Sequence, residues 1–234
     1  MRIFLTSLLC ILSLGSTPAW SLIIETNHQG WYNDSGGHTP ENTNYIVGRT
    51  EFEGLLNNFF VFDLGGLGTV TGATLRAYLP FSGFFSSDPS ETWVLYDVDT
   101  DIGSLVAGTA GPSAFIDLGT GTSFGEVLIT AADGDTFIEV DLNANALASL
   151  SSANGLWAIG GTLPSLGSQA DEAVFAFTRS VVDSNSQEPA IKLELVLGNN
   201  VVPTPSTMSL FLLGFVGMYA RRRRTGSYQS SPHH

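Results

Sequence analysis

Short runs of β-branched and aromatic residues, each bounded by Gly, Pro, Asp, Asn or Ser, do most to constrain the fold of this chain. Such runs are typical of strands joined by tight turns, because branched and aromatic side chains suit a pleated sheet and the turn residues interrupt it. The predicted strands are 59–64, 69–79, 92–99, 126–130, 136–142, 155–161, 173–178 and 190–197. In the last run, Ile191, Leu193, Leu195 and Leu197 alternate with Lys192 and Glu194, which is the period of a half-solvated antiparallel strand.

Only residues 143–155 favour a helix. Asn143 can cap its start, Leu147 and Leu150 are three residues apart, and Gly155 can close it. Many strands and one short helix predict an all-β fold, specifically an antiparallel, jelly-roll-like β-sandwich.

Charge is distributed unevenly along the chain. All 22 Asp and Glu residues but only four of the 9 Lys and Arg residues lie between positions 22 and 205, so this body has a net charge of −18. Such a field repels phosphate backbones and anionic lipid surfaces. Nucleic acid is therefore excluded as a partner.

The N-terminal residues 1–21 have the organisation of a signal peptide: Arg2, an apolar stretch from Ile3 to Leu14, and small residues at Ala19 and Ser21. We expect cleavage after Ala19 or Ser21. Cys10 lies inside this leader and is the chain's single cysteine, so the predicted mature protein has no thiol. Disulfides, thiolate catalysis and cysteine metal sites are then excluded.

The C-terminal residues 201–224 combine a Pro-containing segment, an apolar run from Met208 to Ala220 and four arginines, Arg221, Arg222, Arg223 and Arg224. The apolar run is short for a membrane span, but a helix beginning near Pro205 approaches the required length of about 17–25 residues. The arginines would remain on the cytoplasmic side, with residues 225–234 as a disordered cytoplasmic tail. A permanent tail anchor, and a core helix followed by a solvated basic patch, are the alternatives.

This C-terminal arrangement resembles the PEP-CTERM sorting signal. The matching motif consists of Val202, Pro203, Thr204, Pro205, Ser206 and Thr207, followed by the apolar segment and the arginine cluster. Thr204 stands where that family usually has Glu. The resemblance implies a substrate of an exosortase, a membrane-embedded cysteine protease-transpeptidase of Gram-negative bacteria that make exopolysaccharide. The expected partners are thus an exosortase-like membrane protease and, before processing, the inner membrane.

The body, residues 22–200, resembles the ectodomain of uncharacterised PEP-CTERM proteins over roughly residues 27–197. The segment "FFVFDL…GTVTGATLRAY" is also similar to DNRLRE-type carbohydrate-associated sandwich modules. This resemblance implies an extracellular β-sandwich without an established activity.

Each catalytic interpretation of a motif in the body has a purely structural alternative. The "GTSFG" segment around Ser123 fits a nucleophile elbow, but no histidine follows it before His233, and His28 and His38 lie in a Gly/Asn-rich segment. We interpret it as a turn before a strand, and assign no catalytic residue and no cofactor. A glycosidase pair cannot be nominated, because with 22 acids some pair can always be found.

Two binding sites are candidates. Asp97, Asp99 and Asp101 are weak calcium candidates, with Asp88, Asp133 and Asp135 as further loop acids, although the EF-hand Gly and Glu are missing. Solvent-facing acids at a strand end are the favoured alternative, so no metal is assigned. A glycan-binding surface would use Trp31, Tyr32 and Trp93, although aromatic side chains in sandwiches usually fill the interior.

The sequence therefore predicts an exported, non-enzymatic cell-surface or matrix protein that associates with extracellular polysaccharide. A carbohydrate-binding module or carbohydrate-active enzyme on the same sandwich is the alternative.

Overall fold

The structure is a computed structural model and describes residues 20–167, 169, 171–176 and 191–198. The predicted signal peptide, apart from Trp20 and Ser21, lies outside the described residues, as do the sorting signal (201–224) and the tail (225–234).

Strands dominate the described part of the chain. Its eleven strands are β1 (Trp20–Glu25), β2 (His28–Asn33), β3 (Val47–Thr50), β4 (Gly54–Asp63), β5 (Val70–Leu79), β6 (Ser90–Tyr96), β7 (Ser123–Thr130), β8 (Thr136–Asp141), β9 (Leu156–Thr162), β10 (Glu172–Val174) and β11 (Lys192–Leu197). Its helices are α1 (Ile102–Val106), α2 (Pro112–Leu118) and α3 (Ala144–Ser152), and a 3-10 turn spans Ala131–Asp133.

The strands form two antiparallel sheets. The smaller sheet has the order β1-β11-β5-β8, and the larger has the order β10-β3-β4-β9-β6-β7, with β2 also paired to β4. The 3-10 turn connects β7 of the larger sheet to β8 of the smaller one. This arrangement confirms the predicted all-β class.

The main core lies between the two sheets. Leu75, Leu79 and Leu193 of the smaller sheet and Phe60 and Phe62 of the larger sheet are buried in one apolar cluster. Because alternate residues of a strand point to opposite faces, each sheet contributes every second side chain to this layer. On β11 the predicted alternation is confirmed, since Leu193 and Leu195 are buried, as is Ile191 just before the strand.

The other face of the larger sheet carries a second, smaller core. Phe59 and Val61 of β4 point to this face and pack with Tyr32, Leu105 of α1 and Leu118 of α2. The prediction of a single helix was therefore wrong: two more short helices cover this face. They exist because an apolar sheet face must be covered.

The predicted helix itself is confirmed as α3. Asn143 caps it, with its side-chain oxygen accepting hydrogen bonds from the backbone N–H groups of Asn145 (2.9 Å) and Ala146 (3.2 Å). Its Leu150 is buried in the main core. Among the described residues, no helix is long and apolar enough to cross a membrane.

Candidate functional site

The three aromatic residues predicted to bind glycan are buried. Trp31 is 8% exposed, and Tyr32 and Trp93 are 0% exposed. The Tyr32 hydroxyl donates to the carbonyl of Leu105 (2.8 Å), which fastens β2 to α1. A stacking platform needs an exposed ring face, and none of these three residues presents one.

The calcium candidates Asp97, Asp99 and Asp101 lie in the loop between β6 and α1 and have local structural contacts. Asp101 caps α1, accepting hydrogen bonds at 2.9 Å from both the backbone N–H and the hydroxyl of Ser104. These hydrogen bonds lower the pKa of Asp101. Asp97 accepts from the backbone N–H of Thr122 at 2.7 Å. These contacts order the loop and its connection to β7.

Ser123 is the first residue of β7 and pairs with Tyr96 of β6. A nucleophile elbow requires a strand, a sharp turn and then a helix, whereas here a turn precedes a strand, as predicted. The Nδ1 of His38 is hydrogen bonded to the Trp31 carbonyl (2.9 Å), and its ring is stacked on Tyr32 at 4.9 Å. Burial lowers the pKa of His38, against opposing effects of the Trp31 carbonyl and Glu41.

A different set of acids converges. Asp88, Glu91 and Glu172 each offer a carboxylate oxygen, and these atoms lie within 4.8 Å of one another. We call this group the carboxylate pocket. It is the one group of three or more potential metal-ligating side chains found in the part of the chain that the structure describes.

The pocket is assembled from segments that are distant in the sequence. Asp88 lies in the β5–β6 loop (residues 80–89), Glu91 is near the start of β6, and Glu172 begins β10 at the edge of the larger sheet. Phe85 and Ala173 exchange backbone hydrogen bonds of 2.8 and 2.7 Å. This bridge holds the β5–β6 loop against β10 and brings the three acids together.

The two glutamates are both 0% exposed, whereas Asp88 is exposed at the mouth of the pocket. Glu91 accepts hydrogen bonds from the hydroxyls of Ser86 (2.7 Å) and Ser165 (2.5 Å), one on each carboxylate oxygen. Glu172 Oε2 accepts from the backbone N–H of Gly167 (2.6 Å), but its Oε1 is buried without a hydrogen-bond partner. Glu172 therefore has one uncompensated buried oxygen.

No basic side chain neutralises the pocket within the described residues. Arg49 pairs with Glu172 in the β3–β10 ladder, but its guanidinium donates to the carbonyls of Gly167 (2.9 Å) and Gln169 (3.1 Å). The single ion pair in this part of the chain joins Arg76 to Glu139. Because Glu91 and Glu172 are fully buried, they also do not face solvent as a glycosidase pair would.

A separate cleft of about 420 Å³ opens beside α3. It is lined by polar groups of Asp97, Asp99, Asn145 and Ser149 next to Trp157. The Trp157 indole N–H donates to the Ser149 hydroxyl at 3.0 Å, and its ring stacks on Phe124 in the main core. Two of the predicted calcium candidates thus line a cleft of mixed polar and apolar character.

Glu91 and Glu172 were not predicted from the sequence. They are separated by 81 positions and belong to no local motif. The sequence signal that does exist is their placement beside apolar strand residues, where an acid is expected to have a specific partner. No protein-family model matches the chain, and no curated protein matches it either.

Proposed function

We propose that this chain is an exported, non-enzymatic cell-surface or exopolysaccharide-matrix protein, processed at its C-terminal sorting signal by an exosortase-like membrane protease. In this proposal a jelly-roll-like module crosses the inner membrane, is held transiently by a C-terminal transmembrane helix, and is then released. The observation that carries the proposal is the combination of the 202–207 motif, the apolar run and the Arg221–Arg224 cluster behind an acidic body.

The pairing of the first and last described strands supports this two-ended processing. β1 pairs with β11 in antiparallel register from Trp20 with Leu197 to Glu25 with Lys192. The leader and the sorting signal therefore join the body at one end of one strand pair. Removal of residues 1–19 and of the sorting signal leaves every pair of this ladder in place.

The same register favours one of the two leader cleavage positions. Cleavage after Ala19 would keep all six pairs of the β1–β11 ladder, whereas cleavage after Ser21 would remove two of them. It would also remove the hydrogen bond from the Ser21 hydroxyl to Glu194 (3.0 Å). We therefore expect the mature chain to begin at Trp20.

The experiment compares localisation of three versions of the chain in a Gram-negative host that has an exosortase. These are the full chain, a chain ending at Asn200, and the double substitution P203A/P205A. The control substitution is Pro164→Ala, which changes an exposed proline in the loop after β9. We expect the full chain and the control at the cell surface or in the matrix fraction, and loss of that location for the other two. An unchanged distribution of the chain ending at Asn200 would refute the proposal.

Association with extracellular polysaccharide is the second part of the proposal, and the cleft beside α3 supports it because it combines polar groups with the Trp157 side chain. Its carboxylates, amide and hydroxyl are groups that can hydrogen bond to sugar hydroxyls. We expect saturable binding of the host exopolysaccharide to weaken in Asn145→Ala. Unchanged binding would argue against this cleft.

A further inference from the structure

The carboxylate pocket contains a polar group that the protein alone leaves unsatisfied. Glu172 Oε1 is buried without a hydrogen-bond partner, in a residue that is 0% exposed. A carboxylate oxygen of Glu172 also lies within 4.8 Å of one from Glu91, a second fully buried acid. Burying a carboxylate without a partner is costly, and two acids close together raise that cost. Such a site is stable when a positive group lies between the oxygens.

Glycine at position 167 keeps a side chain away from Oε1. A Cβ atom added there would lie only 2.9 Å from Glu172 Oε1. Asp88 is exposed, so one of the three carboxylates is open to solvent while the other two are buried. The nearest strand partner with a positive charge, Arg49, uses its guanidinium on loop carbonyls instead.

The donor set selects the class of ion. The three side chains offer oxygen only, which suits hard cations and not zinc or copper, which favour nitrogen and sulfur ligands. Ca²⁺ binds oxygen at about 2.3–2.6 Å, so ligands on opposite sides of it are about 4.6–5.2 Å apart. Mg²⁺, at about 2.0–2.1 Å, draws its ligands to within about 4.2 Å. Separations within 4.8 Å are compatible with Ca²⁺, and its flexible coordination accepts ligands from three unrelated segments, whereas Mg²⁺ demands near-ideal octahedral geometry.

We propose that Asp88, Glu91 and Glu172 bind one Ca²⁺ ion, with Glu172 Oε1 as a ligand and water completing the coordination. The ion links the β5–β6 loop, the start of β6 and the edge strand β10. Because β10 has only three residues in its ladder to β3, this link stabilises the edge of the larger sheet. A ligand that binds only the folded state raises its stability by mass action.

The test uses the full chain after removal of metal with EDTA. Its thermal midpoint is measured after adding CaCl₂ or MgCl₂, and the number of bound ions is measured by equilibrium dialysis with radioactive calcium. We expect one Ca²⁺ per chain, a midpoint that rises with Ca²⁺ concentration, and a smaller rise with Mg²⁺. No response to millimolar Ca²⁺, or an equal response to Mg²⁺, overturns the proposal.

Two substitutions separate calcium binding from a purely structural role. Glu172→Gln should leave the metal-free chain at least as stable as the parent, because it replaces an acid that has a buried oxygen without a hydrogen-bond partner, but should lower Ca²⁺ affinity by at least about tenfold. Asp88→Asn changes an exposed side chain and should also weaken Ca²⁺ binding. The matched control is Glu126→Gln, an exposed acid on β7.

The control chain should bind Ca²⁺ as the parent does. Parental affinity in both Glu172→Gln and Asp88→Asn would contradict the assignment. If Glu172→Gln fails to fold, the exposed Asp88→Asn still tests it.

Discussion

Replacing Trp93 with alanine tests the conclusion that this residue belongs to the core and not to a glycan-binding surface. Its ring is 0% exposed and lies 4.8 Å from the ring of Phe175 and 6.1 Å from that of Phe60, measured between centroids. Its indole N–H donates to the buried Asn58 side chain at 3.4 Å. The substitution removes these contacts and leaves a cavity between the sheets.

A cavity of this kind costs about 3–5 kcal/mol for a Trp-to-Ala change. For a domain of this size each kcal/mol lowers the melting temperature by about 2–4 °C, so we expect a drop of about 6–20 °C. The assay is thermal unfolding of the full chain, followed by circular dichroism. Phe52→Ala is the matched control, since Phe52 is 92% exposed between β3 and β4 and should change stability by less than about 0.5 kcal/mol.

A melting temperature for Trp93→Ala within one or two degrees of the parent would refute the core assignment, provided that the control behaves as expected. So would a loss of glycan affinity at unchanged stability, because that pattern belongs to an exposed binding residue.

Two further predictions concern a helix cap and a histidine. Asn143→Ala should destabilise the chain by about 0.5–2 kcal/mol in urea unfolding, because two N–H groups of α3 lose their acceptor. Asn143→Asp keeps an acceptor and should destabilise the chain less. Equal losses of stability in the two variants would contradict the capping role. Burial lowers the pKa of His38 below its ordinary 6.5, so the unfolded chain binds more protons between the two values. Neutral His38 therefore contributes its full stabilisation above pH 6.5, and this stabilisation is lost as the pH falls toward the pKa of His38 in the folded chain. Across this pH range, the melting temperature of His38→Asn should depend less on pH than that of the parent chain. The same pH dependence in both chains would exclude His38 as its source.

The sequence predicts strands well where one face of the sheet is solvated. β11 is the best example, because Leu193 and Leu195 are buried while Lys192 and Glu194 lie on the opposite face. The cap of α3 was predictable for a similar reason, since Asn143 supplies a local hydrogen bond that does not depend on the rest of the fold.

The larger sheet is harder to predict because it is covered on both faces. β4 is buried from Leu56 to Phe62, so its sequence does not alternate between apolar and polar residues in a way that shows which side chains lie on which face of the sheet. Trp93 is buried because the smaller sheet covers that face, and periodicity alone cannot distinguish such a ring from one on an exposed surface.

The two unpredicted helices did leave local signals. Pro112 follows Gly111 at the first turn of α2. Asp101, one of the three calcium candidates, caps α1. Asp, Asn and Ser serve equally well as caps and as metal ligands, so residue type alone does not choose between the two roles.

The carboxylate pocket depends on long-range structure. Glu91 and Glu172 come together where the Phe85–Ala173 bridge holds the β5–β6 loop on the edge strand and where Ser165 and Gly167 hydrogen bond to them. Asp88 was noted as a loop acid from the sequence, but its partners follow from strand order, which sequence spacing does not reveal.

The most direct test of the proposed function is peptide-level mass spectrometry of the native protein from membrane and extracellular fractions, aimed at both termini. We expect an extracellular chain that begins at Trp20 and ends near Val202 to Thr207, with or without an added mass, and that lacks Arg221–Arg224. An extracellular form that still contains Arg221–Arg224 would contradict processing at the sorting signal.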